Sequence, residues 1–229
     1  MAPSNQPDSP GETLLVQQDV LQGELNLEQR EPPRELGSLP NNSWAHGEPD
    51  GHHGEMPELI DPTTGLRTSF LAAVAEFRAD RDYPTPWFAS DVDSPALTGT
   101  AAFATYVTRV LSERDEAAGR ADWFVPMTTL WWAEGDQMLG RLAIRHRLTP
   151  ALEKAGGHIG YDVRPSARRQ GHATAMLAAA LPIARSLGIT QALLTVDETN
   201  VASRRVIETN GGRFIDTVGE RRRYWVPTS

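Results

Sequence analysis

Between an apolar strand-like stretch and an alanine-rich segment the chain reads VRPSARRQGHATAMLAAA, residues 163–180. Two arginines, a lone glycine and a small residue two places later fall where a helix begins. A helix N-terminus offers unpaired N–H groups and the positive end of a dipole to an oxyanion. Gly171 lets the backbone approach a ligand with no Cβ in the way, and Ala173 keeps the first turn narrow. Arg168 and Arg169 add directional positive charge, and the Thr174 hydroxyl can satisfy a terminal N–H. Together these residues describe a pyrophosphate cradle. A Walker loop needs a second glycine followed by Lys-Ser or Lys-Thr, and the dinucleotide fingerprint needs three glycines; neither is present.

The elements around this turn follow from periodicity. Leu66, Phe70, Val74 and Phe77 recur at helical spacing, as do Phe103, Tyr106, Val107, Val110 and Leu111 beyond a Pro/Asp/Ser-rich stretch at 80–97. Residues 127–148 read as a hairpin turning at Gly135-Asp136. A strand over 158–163, a helix over 174–187 ended by Gly188, a strand over 192–196 and a helix over 201–208 closed by Asn210-Gly211-Gly212 come next. Residues 214–218 and 224–226 form a last β-pair. The order is that of a mixed α/β layer, a sheet covered by helices. Pro182 removes one bond from its helix and is expected to bend it, at the end away from the cradle.

The chain has 229 residues and no cysteine, which removes disulfides, thiolate metal sites and cysteine nucleophiles. Its net charge of −8 is concentrated in residues 1–56, where ten acids face two bases. The rest is neutral, so no basic face argues for nucleic acid. No apolar run is long enough for a membrane span, and the first residues lack a signal-peptide pattern, which makes the cytoplasm the expected location. Seven of the 17 prolines also fall in residues 1–56, predicting a disordered acidic tail ahead of one domain over 57–229. Within that tail, Leu14, Val20, Leu21 and Leu25 read either as leucines of a disordered stretch or as a docking segment, while His46, His52 and His53 lack an ordered scaffold to hold a metal. No metal site is expected.

The spacing Arg168-x-x-Gly171-x-Ala173 matches the (Gln/Arg)-x-x-Gly-x-(Gly/Ala) signature of the GNAT superfamily of N-acetyltransferases. The likeness extends through GGHIGYDVRP, TVDETNVASRRVIETNGG and RRYW, which resemble a branch of predicted acetyltransferases of unassigned substrate. That resemblance implies helices on both faces of a mostly antiparallel, centrally splayed sheet. It implies acetyl-CoA as co-substrate, with pyrophosphate on the amides of Arg169, Gln170, Gly171, His172, Ala173 and Thr174. Pantetheine would lie like an added strand beside Tyr161 to Val163, with Asn200, Ser203 and Arg204 flanking the arm or the adenosine end.

Direct attack of an amine on a thioester needs an oxyanion donor, a base and an acid. A backbone N–H on the 160–163 strand suits the first. Asp162, Asp197, Glu198, His146 and His158 are candidate bases; alternation puts His158, Gly160 and Asp162 on one strand face, away from Ile159, Tyr161 and Val163. The family's usual acid, a tyrosine seven residues after Asn200, is replaced here by Ile207. Tyr161, Tyr106 or Tyr224 would have to reach in from elsewhere, or solvent would serve. The resemblance implies an acceptor wall at Tyr83 to Phe88 with Asp91 and Asp93, where aromatics and acids suit a cationic amine such as a primary amine on a small molecule; core packing beside a surface loop is the equally plain reading. A homodimer is compatible with the resemblance. The alternative reading is a non-catalytic acyl-CoA-binding module that uses its acidic tail to contact a partner.

Overall fold

Adjacent tryptophans at 131 and 132 show how this chain is layered. Successive residues of a strand point to opposite faces, and both indoles are buried. In the computed structural model, which describes residues 56–116 and 125–229, Trp131 packs with Leu66, Phe70, Phe77 and Phe103. Trp132 packs with Met176, Leu177, Ala180 and Ile207 on the other face. Helices therefore cover both sides of one sheet. The readings made for residues 1–55, and for the side chain of Asp91, lie outside the described residues.

The first sheet comprises β1 (Glu58–Ile60), β2 (Met127–Glu134), β3 (Gln137–Arg145) and β4 (Ile159–Val163), in that order and antiparallel throughout. The second comprises β5 (Gln191–Asp197), β7 (Arg221–Pro227) and β6 (Arg213–Val218), also antiparallel. On one face lie α1 (Arg67–Ala79), the short α2 (Trp87–Asp91) and α3 (Thr100–Ser112); on the other lie α5 (His172–Ser186) and α6 (Val201–Thr209). The periodic residues Leu66, Phe70, Val74, Phe77, Phe103, Val107 and Val110 are all buried, as an amphipathic stripe requires.

Two short helices escaped the sequence reading. One is α2, inside the stretch read as irregular; the other is α4 (Pro150–Lys154), where the Thr149 hydroxyl accepts the Leu152 N–H at 3.3 Å. Five residues are too few to display a helical period. The helix at the cradle begins at His172 rather than Thr174, because Gly171 is its N-cap. It runs through Pro182 to Ser186 as one helix.

No ladder joins β4 to β5, so the sheet parts between them. The two halves are joined at a clasp around His158, next to which the Gly156 N–H donates to the Thr195 hydroxyl of β5 at 2.8 Å. The His158 N–H donates to the Leu193 carbonyl at 2.7 Å, and the Leu193 N–H donates to His158 Nδ1 at 2.9 Å. The imidazole thus replaces a backbone carbonyl in what would otherwise be an ordinary strand pairing. Gly157, at φ 63°, brings the chains this close; a Cβ there would lie 2.3 Å from the Leu193 carbonyl oxygen. Gly157→Ala is expected to destabilise the fold by about 2 kcal/mol or more, through overpacking added to left-handed strain. Gly188→Ala, where φ is also positive but no atom lies within 4 Å of the new Cβ, should cost only about 1 kcal/mol. Urea denaturation of the two variants checks the difference.

Candidate functional site

The cradle is an uncapped helix end. Inside α5 the first ladder bonds run from the Thr174 and Ala175 N–H groups to the Gly171 carbonyl, at 3.0 and 3.1 Å. No side chain caps the terminus. The amides before Thr174 therefore stand ahead of the helix ladder, as an anion site needs. Gly171 holds φ 86°, and a Cβ built there meets nothing within 4 Å, so the space in front of the turn is open. Arg169, at φ 62°, is the one non-glycine residue with positive φ among those described. Thr174 is the third helical residue and does not cap the turn.

Behind the turn, the loop is tied to α1. Arg164 pairs with Glu76 at 2.7 Å, and the other Glu76 oxygen accepts the Ser166 N–H at 3.1 Å. Burial raises the Glu76 carboxyl, but these partners hold it below the ordinary range. The Arg168 guanidinium turns back as well. It pairs with Asp80 at 2.6 Å, donates to the Val163 carbonyl at 3.2 Å and lies 4.6 Å from the centre of the Tyr83 ring. Its charge serves to anchor the loop. Gln170 reaches the Ser166 carbonyl at 3.4 Å. Ser69, Glu76 and Asp80, at helical spacing along α1, are the sequence signal that could have revealed this attachment.

Backbone polarity in β4 follows from two bonds. Arg145 N–H donates to the His158 carbonyl at 2.7 Å and Arg164 N–H to that of Leu139 at 2.9 Å. Antiparallel alternation then turns the N–H and C=O groups of Ile159, Tyr161 and Val163 away from β3, toward the parting. Facing the same parting, the Tyr161 hydroxyl bonds the Ser203 hydroxyl at 2.7 Å. Burial pushes that phenol up to about 12, against the opposing effect of Ser203. Asn200 Oδ1 accepts the Ser203 N–H at 3.0 Å and caps α6. Arg204 donates to the Glu198 carbonyl at 3.2 Å, and its Nε is buried without a partner among the described residues. Ile207, one turn beyond Ser203, is buried.

Asp162 projects to the opposite face, in register with Arg141. Burial pushes its carboxyl up to about 6, with Arg141, Arg168 and Arg145 pulling the other way. The Arg141 guanidinium lies 4.5 Å from the Trp87 ring centre and 5.1 Å from that of Phe88. These aromatics, with Tyr106 and Glu113, line a small cleft on the face of Asp162. Sequence reading did not single out Arg141.

The remaining candidates are placed elsewhere. Asp197 accepts bonds from the Thr199 hydroxyl and N–H, which hold its carboxyl low and shape the turn into α6. His146 bonds the Thr128 hydroxyl at 2.8 Å. It stands five residues beyond Arg141, about 16 Å along the strand. Tyr224 bonds Glu208 at 3.1 Å, and Tyr106, though it lines the cleft, packs its ring at a tilt against Phe70 and Phe103. Asp93 accepts the Ala96 N–H at 3.4 Å within its own turn. No described helix is long and apolar enough to cross a membrane, and no metal-ligating group of three or more forms among the described residues.

A parted sheet with an uncapped helix end beside it agrees with what similarity finds. The family described as "Acetyltransferase (GNAT) domain" matches residues 66–213. RimJ of Mycobacterium smegmatis, solved in complex with CoA-disulfide, is 19% identical, with a TM-score of 0.50 over 73% of this chain and 79% of that one. The microcin C7 self-immunity acetyltransferase MccE, solved with acetyl-CoA and AMP, is 10% identical, with a TM-score of 0.50 over 74% and 91%. No curated protein matches the chain. At these identities the solved structures support the fold, and the family match covers most of the chain. This chain belongs to the GNAT acetyltransferase family.

The clasp carries a pH dependence. Burial, and Arg145 after it, lower the His158 pKa. Protonation would put a hydrogen on Nδ1, where a lone pair now accepts the Leu193 N–H. A histidine with a depressed folded pKa contributes stability that is present above its unfolded value of about 6.5 and lost as pH falls toward the folded value. His146 is lowered too, mainly by burial, and acts in the same direction. Urea midpoints should therefore fall from pH 7.5 to pH 5.5, and His158→Asn should flatten part of that slope. An unchanged slope in the variant would remove His158 from the effect.

Proposed function

We propose that this chain is an acetyl-CoA-dependent N-acetyltransferase acting on a primary amine of a small molecule. The observation that carries this reading is the parting between β4 and β5 beside the uncapped Gly171 turn. A long, thin molecule ending in a diphosphate fits there: open space at Gly171, free-standing amides at the helix start, and a strand edge with outward-facing N–H groups at Tyr161 and Val163. Acetyl-CoA supplies a thioester carbonyl for direct attack by an amine.

Each chain residue then takes a role. The amides from Arg169 to Ala173 hold the diphosphate, and the β4 edge from Tyr161 to Val163 holds the arm and offers an N–H to developing oxyanion charge. Asp162, ionised above a pKa of about 6, accepts the proton of an incoming ammonium on the face walled by Trp87 and Phe88. Tyr161 stays protonated at neutral pH because burial raises its phenol to about 12. A raised pKa makes it a weaker acid, so its role on the side of the departing thiol is to donate a hydrogen bond to the thiolate, with solvent supplying the proton. Its hydroxyl meets α6 one turn before Ile207, so a strand residue replaces a helical one. Residues 57–229 form the catalytic domain in this reading.

One observation favours a binding module without turnover: Ile207 fills the position of the usual acid and is buried. Thiol release separates the two. With acetyl-CoA and a panel of amines, an enzyme releases free thiol, whereas a module binds saturably without release. Asp162→Asn is expected to lower kcat about 10²-fold. The wild-type rate should rise with pH through about 6, as Asp162 ionises. Gly171→Val should weaken CoA binding, because a side chain would enter the open space; unchanged affinity would sink the cradle assignment.

A further inference from the structure

His172 is the first residue of α5, and Trp132 lies near the end of β2 on the face that this helix covers. The buried Trp132 indole N–H donates to His172 Nδ1 at 3.2 Å. An indole nitrogen only donates, so Nδ1 must be the unprotonated ring nitrogen and the neutral imidazole carries its hydrogen on Nε2. The bond thus selects a tautomer. It also selects an orientation, since Nε2 lies across the ring from Nδ1, on the side away from the indole.

Local structure places the indole where it can do this. A register shift between Trp132 and Ala133 interrupts the β2–β3 ladder, and Trp132 is paired there with Gly140, which has no side chain to stand opposite the ring. A Cβ at Gly140 would lie 3.5 Å from Met176 of α5 and 2.7 Å from the Asp162 carbonyl oxygen. Glycine at this point lets helix, strand and indole approach together. An indole N–H buried without a partner would cost about 1–3 kcal/mol, which favours the imidazole in its observed position.

We propose that His172 supplies a side-chain donor, its Nε2–H, to the diphosphate held at this helix end, and that Trp132 is the positioning residue that aims it. The proposal rests on the coenzyme reading given above. His172 is half-buried and adjoins Gly171, where the space ahead of the turn is open. Arg168 is committed to Asp80 and the Val163 carbonyl, so its guanidinium is held behind the turn, and the imidazole adds a directional donor beside the amides. An untethered ring could flip and present a lone pair to the phosphate oxygens. The Trp132 bond disfavours that arrangement before any ligand arrives, the preorganisation that raises affinity without a new contact.

The test is calorimetric titration of the full chain with CoA, for wild type, His172→Ala, Trp132→Phe and the double variant. Wild type that fails to bind defeats the coenzyme reading, and this proposal with it; wild type that binds isolates the question of the two side chains. His172→Ala is expected to weaken binding about tenfold, the loss of one hydrogen bond to a charged group. Trp132→Phe should weaken it severalfold in the wild-type background and not at all in the His172→Ala background. Equal losses in both backgrounds would mean that Trp132 acts by packing alone and would overturn the proposal, as would undiminished affinity in His172→Ala. Should Trp132→Phe fail to fold, ¹⁵N spectra of histidine-labelled wild type decide. Nδ1 of His172 should show the shift of an unprotonated nitrogen, and the Nε2–H resonance should move when CoA is added. A proton on Nδ1, or an Nε2–H indifferent to CoA, would refute it.

Discussion

The clasp of His158 against Leu193 decides the character of this fold. Were β4 paired with β5 along its length, the backbone groups of Tyr161 and Val163 would be consumed by the ladder and no strand edge would remain inside the molecule. Joining the halves near His158 and without a ladder beyond it leaves the N–H groups of that edge outside any strand pairing, an arrangement otherwise avoided because buried N–H groups without partners are costly. The glycine at 157 and the imidazole at 158 both serve this one junction, the first by permitting a close approach and the second by accepting a backbone N–H.

Around the parting, chemistry is divided by face. Tyr161 looks toward α6, while Asp162 looks toward the aromatic wall of α2, because consecutive strand residues alternate. Burial raises both groups, the phenol to about 12 and the carboxyl to about 6. Two adjacent residues thus present a phenol and a carboxyl to opposite sides of one backbone, a division that follows from the pleat rather than from any contact between them.

Much of this was legible in the letters. The stripes Leu66-Phe70-Val74-Phe77 and Phe103-Val107-Val110 gave two helices, Gly135-Asp136 gave the hairpin, and Gly171 gave the turn, because each rests on a local rule of period or dihedral. What escaped depends on groups far apart in sequence. Arg168 reads as a phosphate ligand until Asp80, 88 positions earlier, is seen to hold it. His158 reads as a candidate base until Leu193 is found against its ring. Asp162 could be assigned to a face by alternation, but its environment depends on Arg141 across the ladder, a partner that strand pairing alone supplies. The five-residue helices left no period to detect.

The fastening of the loop to α1 has a consequence for how such a site can diversify. Glu76 in the last turn of that helix and Asp80 at its C-cap grip the loop that leads into the Gly171 turn, whereas Trp87 and Phe88, further along the chain, wall the cleft beside Arg141. Exchanges beyond Asp80, at Trp87 and Phe88, can reshape that cleft while the grip on the loop persists. Changes before Asp80 loosen the loop and the cleft at once. The helix is therefore the hinge pin of an otherwise exchangeable front.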